Sequence, residues 1–239
     1  ERAIEQTTVG ELLAQMGHYG IQFGAGNMQQ TGTGPDGIDR HGSHKLLETA
    51  QLHRLTKQAL YHFDWSRLSD GLTQSRFPSR LVQIIPSWSL HWITCARDYA
   101  LCSGDLATIR DLLPGFRAVL DWFRRHADVD GLPAKLPFWN ISDWCPWWPR
   151  GVVPGADVGP TCIISAQYIV ALDETAGLCR LLDRSREADE LSAEATALRG
   201  KLHARFWSES EGLFVDRPGG PEISQYGNAW AVVCGAAEI

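Results

Sequence analysis

What this sequence lacks narrows its function first. No CxxC pair occurs among its six cysteines, at 95, 102, 145, 162, 179 and 234. Most of them sit in apolar helical contexts, where a thiol behaves as a small hydrophobe. Buried free thiols are therefore expected over disulfides or metal ligands, and with them a cytoplasmic address. No apolar run approaches the roughly 18 residues of a membrane span. Positive charge is not in excess: 22 Lys and Arg stand against 28 Asp and Glu, a net charge of −6. That balance gives no electrostatic footprint for nucleic acid or an anionic membrane. There is no GxGxxG after a strand, no GxSxG elbow and no HExxH pair, so no phosphate cradle, serine-hydrolase turn or metal site is expected. Asp39, His41 and His44 are a local acid-histidine group without metal-ligand context. The N-terminus, Glu1-Arg2-Ala3-Ile4-Glu5, is too polar for a signal peptide. With no initiator Met, the chain reads as an excised or processed segment.

What is present points to helices. Apolar residues make up 44% and charged residues 21% of 239 positions, enough for one sizeable core. Ile109, Leu112, Leu113, Phe116, Val119, Leu120 and Phe123 follow i, i+3, i+4 spacing, with Asp105 ahead as a cap. Leu191, Ala195, Leu198, Leu202 and Phe206 repeat the pattern over 186–207. Leu47, Ala50, Leu55, Ala59 and Phe63 predict a helix near 43–63, and Ser87 after Pro86 can cap one running to Cys102. Further helices fit 2–17, 161–183 and 223–236. Strand patterns are scarce, Leu213-Phe214-Val215 being the best. A single all-α domain over 1–239 is expected.

Three helix ends share a pattern: Phe63…Asp70-Gly71-Leu72, Phe123…Asp130-Gly131-Leu132 and Trp207…Glu211-Gly212-Leu213. Gly supplies a left-handed stop and the Leu can pack back on the helix. Either stacked helical hairpins or ordinary helix-stop chemistry used three times explains the recurrence.

Two long irregular stretches carry functional-looking residues: a Gly-rich loop at 24–42 and a Trp- and Pro-rich loop at 136–160. Loops of this length in a compact domain are usually functional or disordered, and the second is too aromatic for disorder. Four of ten tryptophans fall between Trp139 and Trp148. A sugar presents an apolar C–H face and a rim of hydroxyls, so recognising one takes flat aromatic surfaces and a few fixed polar groups. Asp143 among Trp139, Trp144 and Trp147 supplies that combination; the plainer account is a Trp-rich plug anchoring the loop. Arg76 and Arg80 could orient a carboxylate or donate to substrate oxygens, or could be a solvated loop.

Several segments together resemble bacterial α-L-rhamnosidases. They are Phe63 through Arg80, Val119-Leu120-Asp121-Trp122-Phe123, Trp139-Asn140-Ile141-Ser142-Asp143-Trp144, Pro154-Gly155-Ala156-Asp157 and Ser224-Gln225-Tyr226-Gly227-Asn228-Ala229. The resemblance covers about residues 55–239. It implies an (α/α)6 toroid of the six-hairpin glycosidase type, incomplete here because about seven helices are counted. It implies a carbohydrate partner, no cofactor, and inverting hydrolysis of terminal α-L-rhamnosides by an acid and a base carboxylate. It also makes Asp143 the residue that holds the sugar; Trp139, Trp144, Trp147, Arg76, Arg80, Asp157, Gln225 and Asn228 are the further substrate-binding candidates.

The sequence departs from that family where catalysis would sit. The acid Glu of relatives is expected near Thr31, where the nearest carboxylates are Asp36 and Asp39. The general base of relatives lies beyond the Ser-Gln-Tyr-Gly-Asn segment and would fall past Ile239. A non-catalytic sugar-binding fragment and a purely structural helical domain are the competing readings. An incomplete toroid would also expose apolar edges and self-associate. The isolated chain is therefore expected to hydrolyse aryl α-L-rhamnosides very poorly, since inversion needs two carboxylates about 6.5–9.5 Å apart. Robust turnover by pure protein in a release assay would contradict this and bring forward Asp36 or Asp39.

Overall fold

The computed structural model describes residues 40–237, with side chains from residue 50. The chain divides at Leu55/Thr56 into two compact units, and the second carries the described core. Helix α1 (Arg40–Trp65) spans the division. Then come α2 (Pro86–Ser103), α3 (Leu106–Arg125), α4 (Cys162–Leu181), α5 (Ser185–Phe206) and α6 (Gln225–Val233). The only sheet among the described residues is a two-residue pair, β1 (Trp207–Ser208) antiparallel to β2 (Leu213–Phe214). The all-α expectation holds. The predicted helix at 2–17 and the loop at 24–39 lie outside the described residues, and α1 already begins at Arg40.

Local chemistry explains most boundaries. Asp105 caps α3, its Oδ1 accepting the Thr108 N–H at 3.1 Å. Thr161 and Ser224 do the same for α4 and α6. Ser87 does not cap α2, as its position suggested. Ile85 is the N-cap, and Pro86 fills the first turn with a residue that has no N–H to satisfy. Gly104, at φ 70°, ends α2 in the left-handed region. In the part of α1 that belongs to the second unit, the buried position is Leu60, not Ala59.

The second unit is built of hairpins. Short turns join α2 to α3 and α4 to α5, whereas long connections over 66–85, 126–161 and 207–224 precede α2, α4 and α6. Helix α4 packs against α2, α3, α5 and α6. By length and composition α4 is apolar enough to cross a membrane, which corrects the view that no such stretch exists. Its neighbours cover it, 78% of the apolar window being buried. Helices α3 and α5 lie outside, their exposed edges joined by Arg117 to Glu187 at 2.5 Å and by Arg124 to Glu194 at 2.6 Å.

Two of the three recurring acid-Gly-Leu segments are hairpin features. The Leu68 N–H bonds the Leu72 carbonyl at 2.8 Å, and the Asp128 N–H bonds the Leu132 carbonyl at 2.9 Å. Both leucines are fully buried, and Gly71 and Gly131 take φ of 120° and 87°. Each turn is then tied down by a later outer helix. Trp122 and Arg125 of α3 donate to Asp70. Arg205 of α5 bonds Asp128 and Asp130, and Lys201 the Asp130 carbonyl. The third instance, Glu211-Gly212-Leu213, enters the β1–β2 turn, and its leucine is exposed.

Asp105 gathers more than a cap. Its Oδ2 accepts from Lys57 Nζ at 2.8 Å, Tyr99 Oη at 2.9 Å and Thr108 Oγ1 at 2.7 Å. These donors, Lys57 foremost, hold its carboxyl well below the usual range. Asp105→Ala is expected to lower unfolding free energy by roughly 1–2 kcal/mol in urea titrations, and Asp105→Asn by less because it keeps the cap. A depressed carboxyl stabilises the fold above its unfolded pKa of about 4 and loses that contribution as pH falls below it. The difference between wild type and variant should therefore be full at pH 7 and shrink below pH 4.

Candidate functional site

The three long connections meet at the end where α2, α4 and α6 begin. The Trp139 N–H reaches the Ile84 carbonyl at 3.4 Å, and the Cys162 N–H bonds the Asp216 carbonyl at 2.9 Å. The segments predicted to bind substrate therefore come from three parts of the chain to one end of the unit.

The 126–161 connection has almost no regular structure, only a 3-10 turn at Pro149–Gly151 and two isolated bridges. One tryptophan anchors it. Trp148 is 4% exposed and packs with Val153 and Ile163 against Cys145, Tyr226 and Trp230. Trp139 is half-buried and donates its Nε1–H to the Arg150 carbonyl at 3.1 Å. Its ring meets Trp144 edge-on, centroids 6.0 Å apart. Trp144 and Trp147 are 72% and 73% exposed. The cluster thus divides into an anchor and a displayed surface.

Asp143 lies between them and is exposed. One carboxylate oxygen accepts the Trp144 N–H at 2.7 Å, and the backbone N–H bonds the Gly151 carbonyl at 3.3 Å. Among the described residues it has no arginine partner and caps no helix. Its charge reaches Tyr226, whose hydroxyl pKa is raised chiefly by burial, held back by a hydrogen bond from the Trp230 indole, and raised a little further by Asp143. Asn140, three residues earlier, donates to the Leu136 carbonyl at 2.6 Å and leaves its buried Oδ1 without a partner.

The other predicted residues divide. Arg76 and Arg80 are exposed and make no hydrogen bond or ion pair among the described residues. Asp157 and Gln225 are exposed as well, Gln225 being the first residue of α6. Asn228 is committed to the backbone: Oδ1 accepts the Phe214 N–H at 2.9 Å, and Nδ2 donates to the Phe214 and Ser224 carbonyls at 3.0 and 2.9 Å. It clamps α6 to β2. Asp36 and Asp39 lie outside the described residues, and the side chains of His41 and His44 are not described.

Sequence reasoning passed over a second group. Asp216 is 1% exposed and accepts from Ser224 Oγ at 2.5 Å, so it fixes the cap of α6. Burial pushes its carboxyl up against those hydrogen bonds. His91 of α2 faces Trp230 of α6, ring centroids 5.7 Å apart, and burial lowers its imidazole to about 4. It is therefore neutral at pH 7. The only signal in the sequence was periodicity: His91 follows Trp88 by three residues on one face of α2.

The family model of the bacterial α-L-rhamnosidase 6 hairpin glycosidase domain matches residues 42–235. Among solved structures, the GH78 family rhamnosidase of Bacillus sp. GL1 is similar with TM-score 0.66 and 24% identity, over 77% of this chain and 19% of that one. A rhamnosidase from Klebsiella oxytoca with rhamnose bound gives TM-score 0.66 at 18% identity, over 78% and 35%. The α-L-rhamnosidase from Dictyoglumus thermophilum gives 0.57 at 17%, over 76% and 20%. These likenesses are of fold, and the chain spans only about a fifth to a third of those proteins. No curated protein sequence matches it.

The division within the tryptophan cluster can be measured. Trp148→Ala is expected to cost roughly 3–5 kcal/mol of stability, as for a large buried side chain that leaves a cavity. Trp144→Ala and Trp147→Ala are expected to change it by less than about 0.5 kcal/mol. Equal losses in urea denaturation would mean that all three are core anchors.

Proposed function

The chain belongs to the bacterial α-L-rhamnosidase six-hairpin glycosidase domain family, and we propose that its loop end binds a terminal α-L-rhamnoside-like sugar for inverting hydrolysis. The observation that carries this reading is the exposure of Trp144 and Trp147 beside a carboxylate. Tryptophans serving only as anchors would be buried like Trp148, because leaving a large apolar ring in water forgoes the gain of burying it. Displayed rings offer a flat platform for the C–H face of a sugar.

Asp143 supplies the polar half. One oxygen is held by the Trp144 N–H, which restricts the rotation of the carboxyl group. The second oxygen is left to accept from a hydroxyl, and an ionised carboxylate can take two neighbouring hydroxyls at once. Tyr226 sits close enough to sense the Asp143 charge and adds a group that can both donate and accept. Hydrolysis with inversion further requires an acid and a base on opposite faces of the sugar. In this reading Asp143 is a binding residue and not a member of that pair.

Asp143→Asn keeps the shape of the side chain and removes its charge. A hydrogen bond to a charged group contributes roughly 1.5–3 kcal/mol, so rhamnose affinity should fall about tenfold or more. The melting temperature should hardly move, because the side chain is exposed and bonds only its neighbour. Affinity from tryptophan fluorescence and melting from circular dichroism are measured on the same variant. A lower melting temperature with unchanged sugar affinity would sink the assignment.

A further inference from the structure

The two halves of the 126–161 connection meet at an isolated antiparallel bridge between Ala134 and Pro160. Just past the bridge, the first half bends sharply. Lys135 and Phe138 take φ of 48° and 74°, in the left-handed region that residues other than glycine rarely adopt. Such a conformation persists only where the surroundings hold it. Asn140 does part of the holding, its Nδ2 donating to the Leu136 carbonyl across the bend at 2.6 Å. The second half runs into Thr161, the cap of α4.

A small cavity lies between the two halves. Lys135, Leu136 and Asn140 line it from the first half, and Ala156, Gly159 and Thr161 from the second. It has room for one water molecule. Two groups on its wall have hydrogen-bonding capacity that the protein does not use. The bond from Nδ2 to a carbonyl fixes which way the Asn140 amide faces, because the reverse orientation would set two oxygens against each other. Asn140 Oδ1 is then the free end, buried and without a partner among the described residues. Thr161 is 3% exposed, and its Oγ1 accepts the Ile164 N–H at 3.4 Å. Its hydroxyl hydrogen remains to donate. A buried acceptor left unmade is destabilising, so this one calls for a partner.

We propose that this cavity binds a single water molecule, which donates to Asn140 Oδ1 and accepts from the Thr161 hydroxyl. The site is independent of the sugar-binding reading. The chemistry of its wall selects the occupant. One group accepts and the other donates, and water does both. An anion would face the lone pairs of the amide oxygen. A cation would share the cavity with the positive Lys135 and meet the donating hydroxyl. Anything larger than a water does not fit. A bridging water is enthalpically nearly as good as a direct hydrogen bond. It therefore joins the strained bend at 135–140 to the cap of α4, where the backbone supplies only the Ala134–Pro160 bridge. Trp139 lies inside that bend, between Phe138 and Asn140, so the water helps to set where this tryptophan stands.

The test is a crystal structure of the full 239-residue chain at a resolution that orders bound water, with and without a rubidium chloride soak. The expected result is one oxygen-sized peak within roughly 2.5–3.0 Å of both Asn140 Oδ1 and Thr161 Oγ1, unchanged by rubidium. Thr161→Ser keeps the hydroxyl and should keep the peak. Asn140→Leu removes the acceptor and should lose it. An empty cavity in the wild-type crystal overturns the proposal, and so does an Asn140 Oδ1 bonded to a protein group. A peak that strengthens with rubidium also overturns it, because the occupant is then a cation. A peak that survives Asn140→Leu overturns the role of the amide oxygen. If Asn140→Leu does not fold, the wild-type and Thr161→Ser crystals still decide the matter.

Discussion

From Cys162 through Ile169, every residue of α4 is buried. A helix apolar on one side can lie on a surface, but one covered on all sides needs neighbours around it. Helices α2 and α6 flank it, and α5 packs along it. Each fully buried Ile or Tyr of this segment is worth roughly 1.5–3 kcal/mol over leaving it exposed, so the arrangement is set mainly by this burial. The same burial sets the terms for every polar group on α4. Thr175 solves its problem locally, bonding the Ala171 carbonyl at 2.7 Å. Glu174 turns to Arg97, and Asp173 to Arg199. The Ser165 hydroxyl and the Gln167 Oε1 have no such partner within the protein.

The hairpin order follows from a second, local device. An outer helix ends in an acid-Gly-Leu turn whose Leu is buried and whose acid is held by the following outer helix, as Asp70 is by Trp122 and Arg125. Such surface or half-exposed ion pairs add little stability individually. Their value lies in fixing where each long connection departs. Both turns of this kind precede an inner helix, so the 66–85 and 126–161 connections open toward the same end, where the Trp139 N–H meets the Ile84 carbonyl.

Much of this was legible in the sequence. Helices α3 and α5 have one apolar face, and that period survives any tertiary context. The Asp105 cap and the glycine turns were legible because their chemistry is local. The resemblance of several ordered motifs named the family before any coordinates did. The site was less legible. Asn228 sits in a motif that looks functional, yet its amide is spent on the backbone of Phe214 and Ser224. Trp230 lies in an apolar run, Ala229-Trp230-Ala231-Val232-Val233, and reads as core. Its place between Tyr226 and His91 becomes visible only when α2 is set against α6. Ser87 was misread because a good capping residue is irrelevant where proline has already removed the donor.

Asn228 and Asp216 gain their meaning from what they hold. Helix α6 is short, nine residues, and a helix of that length is marginal in isolation. Asp216 fixes the Ser224 hydroxyl, which in turn caps the Gly227 N–H at 2.9 Å, while Asn228 ties the same turn to β2. Gly227 is required at this point, since a Cβ there would come within 2.6 Å of the Asp216 carboxylate. Tyr226 and Trp230 project from this clamped turn toward the anchor Trp148. A buried carboxyl with a raised pKa is a costly way to cap a helix, and solvent or a simple serine cap would serve stability at lower cost. What the costlier arrangement secures is the placement of Tyr226 near Asp143 and of Trp230 against Trp148. In this end of the unit, the residues that look structural are the ones that give the candidate site its geometry.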